Sequence, residues 1–453
     1  MDFSFNNPEQ QAFLTAHRDK KSIFLTGKAG TGKTTLLRHL VDTLRAENKK
    51  VVVVAPTGIA ALNAGGVTIH SFFRLDTRTF MPEDRQVKAL EGNRLATLKA
   101  IDVLIIDEVS MVRADLFDAI DLCMRRSLGN NFPFGGKQLI MVGDIFQISP
   151  VVTDKDRELL NAFYSKTAFF FGAKVYKKFE HEIIELIQVY RQKDADFMQI
   201  LDNIRTGEFS SKELQVINSQ YIDNFTPQPN VIELTTTNAL ADVRNKQELD
   251  KIPENSYTFE AEVGGVFEDK LFPTEKKLNL KVGTQVMFIK NHMAGKWANG
   301  TIGKIVKFVE MRVEGYEDGA EEDFLKDVED EVAETIIQVL LDNGETVFVN
   351  TAQWEKKSYE YNRETELIEE KVLGTFTQYP LKLAWAITIH KSQGLTFEKV
   401  CLNFGTGAFA TGQAYVALSR CKTLEGLQLR TRIYPKDIKV DEDVLAYYNN
   451  YLR

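Results

Sequence analysis

The chain has 453 residues, 56 Lys plus Arg against 64 Asp plus Glu (net −8), and a hydrophobic fraction of 43%, which is a soluble composition with length for about three domains. That acidity does not exclude a phosphate-bearing partner: residues 314–334 hold eleven acids and one lysine, and −8 less −10 leaves +2 elsewhere. No apolar run nears the ~18 residues of a membrane span, no leader-like start precedes Asn6, and Cys123, Cys401 and Cys421 lack metal or disulfide spacing, so a reducing, cytoplasmic (or nucleoid or nuclear) setting is expected.

In chain order, Ser22–Thr26 reads as a short buried strand. It runs into Gly27-Lys28-Ala29-Gly30-Thr31-Gly32-Lys33-Thr34, which fits the phosphate loop G-x-x-x-x-G-K-[ST]. Beyond it Leu36, Leu37, Leu40, Val41 and Leu44 share one face of a helix. Glycines let the backbone wrap a polyphosphate, and loop N–H groups with the helix N-terminus supply positive potential. Lys33 is expected on the β- and γ-phosphates and Thr34 on magnesium. The chain binds a nucleotide on this reading.

Three more apolar runs end in polar groups: 51–54 before Ala55-Pro56-Thr57-Gly58, 103–106 before Asp107-Glu108, and 139–142 before Gly143-Asp144. Such runs, alternating with helical segments, predict a parallel sheet covered on both faces, with ligands at the carboxyl ends of its strands. Asp107 is assigned to the metal and Glu108 to the attacking water. Gln147 sits where a side chain can sense the γ-phosphate.

From about 181 the α/β pattern resumes, with strands at 231–234 and 400–404, helices at 195–206 and 239–250, and no second phosphate loop. One nucleotide site in two α/β halves places ATP in a cleft between them. The second half then supplies arginines, for which Arg191 and Arg420 are the candidates. A β-rich insertion at 275–372 predicts a small barrel, with 314–334 as a solvated hairpin tip. Thr68-Ile69-His70 echoes Thr388-Ile389-His390, which predicts paired binding elements on two related lobes.

Gln10, Gly27–Thr34, Ala55–Ala61, Thr68–His70, Asp107-Glu108, Gly143–Gln147, Tyr190–Gln192, Thr237-Asn238, His390–Gly394 and Val416–Arg420 together resemble the motif series of superfamily-one helicases, in family order. Asn131–Leu139 and Ser419–Leu427 are similar to the Pif-type (petite integration frequency) members of its group B rather than to RecD types. The resemblance implies an α/β fold with two RecA-like parallel-sheet domains, residues 1–180 and 181–274 plus 373–453. It implies a polar wedge insertion at 74–97 tipped by Phe80-Met81-Pro82, and a Src-homology-three-type barrel at 275–372.

The same resemblance implies magnesium-dependent ATP hydrolysis coupled to 5′→3′ movement on single-stranded DNA, with duplex unwinding by a monomeric motor. DNA repair, recombination and telomere maintenance are the settings it implies. By motif position Gln10 reads adenine, while Gly27, Ala29, Gly30, Thr31, Gly32, Lys33, Thr34, Thr35 and Gly394 hold the nucleotide. Lys33, Glu108, Gln147, Arg191 and Arg420 act on the triphosphate. Pro56, Thr57, His70, Asn238, Thr388, His390 and Lys391 lie along the DNA. Single-stranded DNA and tailed duplex or fork DNA are the expected partners, with G-quadruplex DNA a further candidate and no membrane. Two rival classes stay open at this point: a phosphate-loop ATPase acting on proteins, and an ATP-gated single-strand binding protein or translocase without strand separation.

Overall fold

The apolar runs are strands of one sheet. In the computed structural model, which describes residues 7–164, 167–192, 194–223, 231–292, 294–312, 332–362, 364–365 and 367–452, the first sheet comprises β1 (Ile23–Gly27), β2 (Val51–Ala55), β3 (Val67–Thr68), β4 (Val103–Ile106), β5 (Gln138–Val142) and β6 (Glu182–Leu186). All pairs are parallel, in the order β3-β2-β4-β5-β1-β6. The helix Lys33–Ala46 buries its predicted leucine and valine face on one side of this sheet. The helix Ala114–Leu128 covers the other side.

β6 moves the expected boundary at 180. Residues 182–186 pair with all five residues of β1 and complete the first sheet. The segment reads as Glu-Ile-Ile-Glu-Leu because it is an edge strand, buried on one side and half-exposed on the other.

β7 (Ile232–Thr235) opens the second sheet, and a β module then interrupts it. The module consists of β8 (Tyr257–Glu260), β9 (Glu262–Gly265), β10 (Lys277–Leu280), β11 (Gln285–Phe288), β12 (Ile302–Arg312), β13 (Val332–Leu341), β14 (Thr346–Val349), β15 (Ala352–Asn362), β16 (Leu367–Gln378) and β17 (Leu381–Leu383). Its five-stranded sheet β14-β13-β12-β11-β17 has its own core of Leu278, Leu280, Val286, Phe288, Ile337 and Val339. The module begins at 257 rather than 275, because β8 pairs with β10 and β9 with β16. Both early strands are short and largely exposed: Tyr257 and Phe259 alternate in β8 and pack on Phe308, whereas β9 carries no apolar alternation. Residues 313–331, nearly all of the expected acidic hairpin tip, lie outside the described residues.

The long β15–β16 pair reaches the first lobe. Tyr359 packs 6.3 Å from Phe72, and Glu370 forms a 2.7 Å ion pair with Arg45. The expected wedge tip is also revised. Phe80 is buried beneath Arg78, 4.5 Å from its guanidinium, and its N–H donates to Asp115, so only Met81 of the three stands exposed. Asp84 ties the segment down by accepting from Arg78 and from the Met81 and Gln86 N–H groups.

β18 (Ala386–Thr388), β19 (Val400–Asn403) and β20 (Leu427–Leu429) complete the second parallel sheet, ordered β18-β7-β19-β20. This order repeats β3-β2-β4-β5. Tyr221 bridges Leu429 in parallel beside β20, where β1 stands beside β5. The Thr-Ile-His echo falls at matching places, the ends of β3 and β18. Thr68 accepts from the Ser71 N–H at 3.2 Å and Thr388 from the Lys391 N–H at 3.3 Å, the same local cap in each lobe. The last helix, Glu442–Tyr451, crosses back to the first lobe, where Tyr447 stacks on Phe171 and bonds the Tyr176 hydroxyl.

Candidate nucleotide cleft and strand track

Strand ends converge as a parallel sheet requires. A cleft of about 720 Å³ between the lobes is lined by Gln10, Ala29, Gly30, Gly32, Lys33, Thr34, Thr35, Asp107, Glu108, Gln147, Arg191, Gly394 and Arg420. Of the remaining nucleotide candidates, Gly27 and Thr31 lie beneath the loop. The Gly27 carbonyl accepts from Lys33 Nζ at 2.7 Å, and Thr31 Oγ1 donates to the Lys28 carbonyl at 2.9 Å. Gly30 is required as glycine: its φ is +84°, and a Cβ there would stand 2.5 Å from the Arg191 Cβ.

Charge in the cleft is unbalanced. Burial raises the Asp107 carboxyl, and burial with the adjacent Asp107 charge pushes Glu108 up to about 7. Burial also lowers the Lys33 ammonium despite Asp144 and Glu108 nearby. Arg420 is 1% exposed and, among the described residues, donates only to lobe-two groups: the Val416, Leu395 and Ser392 carbonyls and Ser419 Oγ. Arg191 donates to the Ser419 carbonyl at 3.2 Å, and burial pulls it down to about 10. Burial and the Arg191 charge hold Arg420 well below its usual range. Neither guanidinium has a carboxylate partner among the described residues, so both leave room for an anion.

Magnesium fits the residues present. Thr34 offers a hydroxyl and Asp107 a carboxylate in one cleft, and no cluster of three or more acids, histidines or cysteines occurs among the described residues. That sparse set suits an ion that keeps waters and takes phosphate oxygens.

The strand candidates occupy the carboxyl ends of β2, β3, β7 and β18. Pro56 and His70 line a second cavity of about 430 Å³, roofed by Phe267, Leu271 and Lys356 of the β module. Thr57 Oγ1 caps the helix Gly58–Asn63 by accepting from Ala60 N–H at 3.2 Å. A Cβ on Gly58 would meet Leu271 Cδ2 at 2.3 Å, so the module sits directly on this face. On lobe two Asn238 and Lys391 are exposed, Thr388 is buried, and His390 stacks on Phe409.

The family model for PIF1-like helicase matches residues 7–221. Bacteroides sp Pif1 in complex with ADP-AlF4 superposes with a TM-score of 0.85 at 34% identity, covering 98% of this chain and 96% of that one. This chain belongs to the PIF1-like helicase family. ATP-dependent DNA helicase PIF1 of Emericella nidulans is 34% identical over 468 residues, covering 95% of this chain and 61% of that protein. The chain therefore spans less than two thirds of that curated relative. Bacteroides Pif1 bound to ssDNA, also 34% identical and covering 98% of this chain and 96% of that one, gives a lower TM-score of 0.66. Unliganded Bacteroides sp Pif1 also gives 0.85, so the arrangement of this PIF1-like chain is nearer those two structures than the ssDNA-bound one.

Sequence reasoning left several residues of the PIF1-like cleft unassigned. Asn7 Nδ2 donates to Gln188 Oε1 and to Tyr190 Oη, both at 2.8 Å, and all three line the Gln10 end. Asp144 is the hub between lobes. It accepts from Gln147 Nε2 at 3.3 Å, from buried Arg205 at 3.3 Å and from the Tyr415 hydroxyl at 3.4 Å. Tyr415 Oη in turn accepts the phosphate-loop Ala29 N–H at 2.9 Å. Tyr415 stands in the Val416–Arg420 region, and its only sequence signal was that proximity.

Proposed function

We propose that the chain is an ATP-dependent DNA helicase that moves 5′→3′ along single-stranded DNA and separates duplexes. The observation that carries this reading is the cleft built from both lobes, with Lys33 on one wall and two counter-ion-free arginines on the other. The related proteins, named ATP-dependent DNA helicase PIF1, support it. A solved Bacteroides Pif1 described as bound to ssDNA, and a structure described as the basis for DNA unwinding at forked dsDNA by two coordinating Pif1 helicases, support the DNA partner.

ATP bound here would meet Lys33 and the loop N–H groups from lobe one and Arg191 and Arg420 from lobe two. It therefore binds the closed arrangement better, and only that difference in affinity can shift the equilibrium. On this reading Glu108 would orient the attacking water and take its proton. Thr34 and Asp107 would hold a magnesium ion, which neutralises charge on the phosphate oxygens. Hydrolysis weakens the γ-phosphate contacts to the arginines, and the Tyr415–Asp144–Gln147 bonds link that change to the loop and to Gln393, near His390. The paired Thr-Ile-His elements then grip the strand alternately. Contacts of this kind go mainly to phosphate and sugar, with little sequence preference.

Matched duplexes with a 5′ or a 3′ single-stranded tail, given ATP and magnesium, test the reading. Displacement is expected only from the 5′ tail. Efficient displacement from 3′ tails overturns the polarity and spares the ATPase. Displacement from neither, with DNA-stimulated hydrolysis intact, favours an ATP-gated single-strand binding protein or translocase.

Charge offers a further check. DNA affinity is expected to fall steeply as salt rises, because binding releases counterions from neutralised phosphates. Residues 314–331 hold ten acids and one lysine, a net of −9, and their replacement by a tight turn is expected to strengthen DNA binding. The cut stops at 331 because Val332 and Glu334 pair with Arg312 and Met311. Loss of DNA binding in the folded variant would make the acidic segment part of the binding machinery.

A further inference from the structure

The repeated sheet order has a consequence on lobe two. In lobe one the ends of β4 and β5 carry Asp107 and Asp144 and flank the nucleotide cleft. Their counterparts β19 and β20 end in Gly405-Thr406-Gly407 and in Arg430-Thr431-Arg432, and between them lies a cavity of about 370 Å³. Arg430, Arg432 and Lys436 line it, and the Asp437 carboxylate, also in the lining, is buried and accepts from the Ala408 and Tyr434 N–H groups, an arrangement that suits an anion held without a metal. Arg430, Arg432, Tyr434 and Lys436 are all exposed, the first two on alternate residues after β20 and Lys436 in the turn Pro435–Asp437.

Arg430 is committed to Glu233, both bonds being 3.0 Å. Arg432 lies over the Tyr221 ring at 4.3 Å, and neither it nor Lys436 pairs with a carboxylate among the described residues. Tyr434 is 53% exposed, with Lys436 Nζ 5.8 Å from the centre of its ring, so a base on the ring and a phosphate on the ammonium would be neighbours. No Gly-x-x-x-x-Gly-Lys sequence follows Tyr221, so the cradle for a triphosphate is missing and single phosphates are the matching ligand. The cavity also adjoins the strand candidates. A Cβ on Gly405 would stand 3.2 Å from Leu240, two residues after Asn238, and the Phe409 ring beyond the glycines stacks on His390.

We propose that this cavity is an additional nucleotide subsite at the lobe-two end of the strand track, with a backbone phosphate between Arg432 and Lys436 and a base on Tyr434. The subsite rests on the DNA reading of the track, and oligonucleotide length separates the two. The test measures binding of oligothymidylates of increasing length by fluorescence anisotropy, for the wild type, Tyr434→Ala and the double variant Arg432→Ala/Lys436→Ala. Short strands that fill only the track are expected to bind all three proteins equally, and basal ATP turnover, which marks a folded chain, stays unchanged. Longer strands are expected to bind Tyr434→Ala about tenfold more weakly, as for loss of one stacked base. For the double variant the salt slope on long strands is expected to drop by about 0.7, for the loss of one single-strand phosphate contact. Unchanged long-strand affinity and slope overturn the subsite, as does an equal loss at every length. Displacement of the long-strand increment by AMP at micromolar concentration overturns the strand as its ligand in favour of a free nucleotide. Failure of short strands to bind the wild type overturns the track reading itself.

Discussion

Lys33→Ala is expected to reduce ATP turnover at least about a thousandfold while single-strand affinity stays within about twofold. The lysine lies inside the phosphate loop, donating to the Gly27 and Lys28 carbonyls at 2.7 and 3.0 Å. Bound phosphate offers its ammonium a stronger, charged acceptor, and the alanine variant leaves that developing charge without it. The strand candidates are set apart from this amine: Pro56 and His70 face the other cavity, and Lys391 is exposed on lobe two. Turnover and DNA binding measured on one preparation check the result. Turnover near wild type would displace the nucleotide site from Gly27–Thr34.

The arginines carry the second large effect. Arg191→Ala and Arg420→Ala are each expected to lower turnover about a thousandfold or more, with a smaller loss of ATP affinity, because transition-state charge outweighs ground-state charge at the γ-phosphate. The two substitutions differ in what else they disturb. Among the described residues the Arg191 guanidinium makes one hydrogen bond, to the Ser419 carbonyl, so its loss reports mainly on charge. Arg420 also holds the Ser392 and Leu395 carbonyls just beyond His390, so Arg420→Ala is expected to weaken DNA binding as well. Arg420→Lys keeps a charge without the planar fork, and is expected to recover little turnover. Steady-state hydrolysis with and without single-stranded DNA, alongside nucleotide binding, separates these contributions. A variant hydrolysing ATP at the normal rate removes that arginine from the catalytic set.

The nucleotide site was legible in the chain because its parts are local. Four strands of the first sheet, β1, β2, β4 and β5, announced themselves as continuous apolar runs, and the functional groups stood at the next turns: Lys33 after β1, Pro56 after β2, Asp107 and Glu108 after β4. Parallel-sheet geometry alone brings such turns to one edge. The Thr-Ile-His echo was also readable, because a repeated lobe repeats its local caps. Packing across long chain distances decided the rest. Glu182–Leu186 could join either sheet on its pattern, and only pairing with β1 assigned it to the first. Phe80 read as an exposed tip because its neighbours are polar, yet those same neighbours, Arg78 and Asp84, bind each other and seal it inward. β9 left no periodic trace because its side chains meet solvent, and β8, with only Tyr257 and Phe259 alternating, was identified as a strand by its pairing with β10. Asp144 gained its role from Arg205 and Tyr415, 61 and 271 residues away. A buried carboxylate must find donors wherever the fold supplies them, and nothing in the order of residues along the chain says which distant donors those will be.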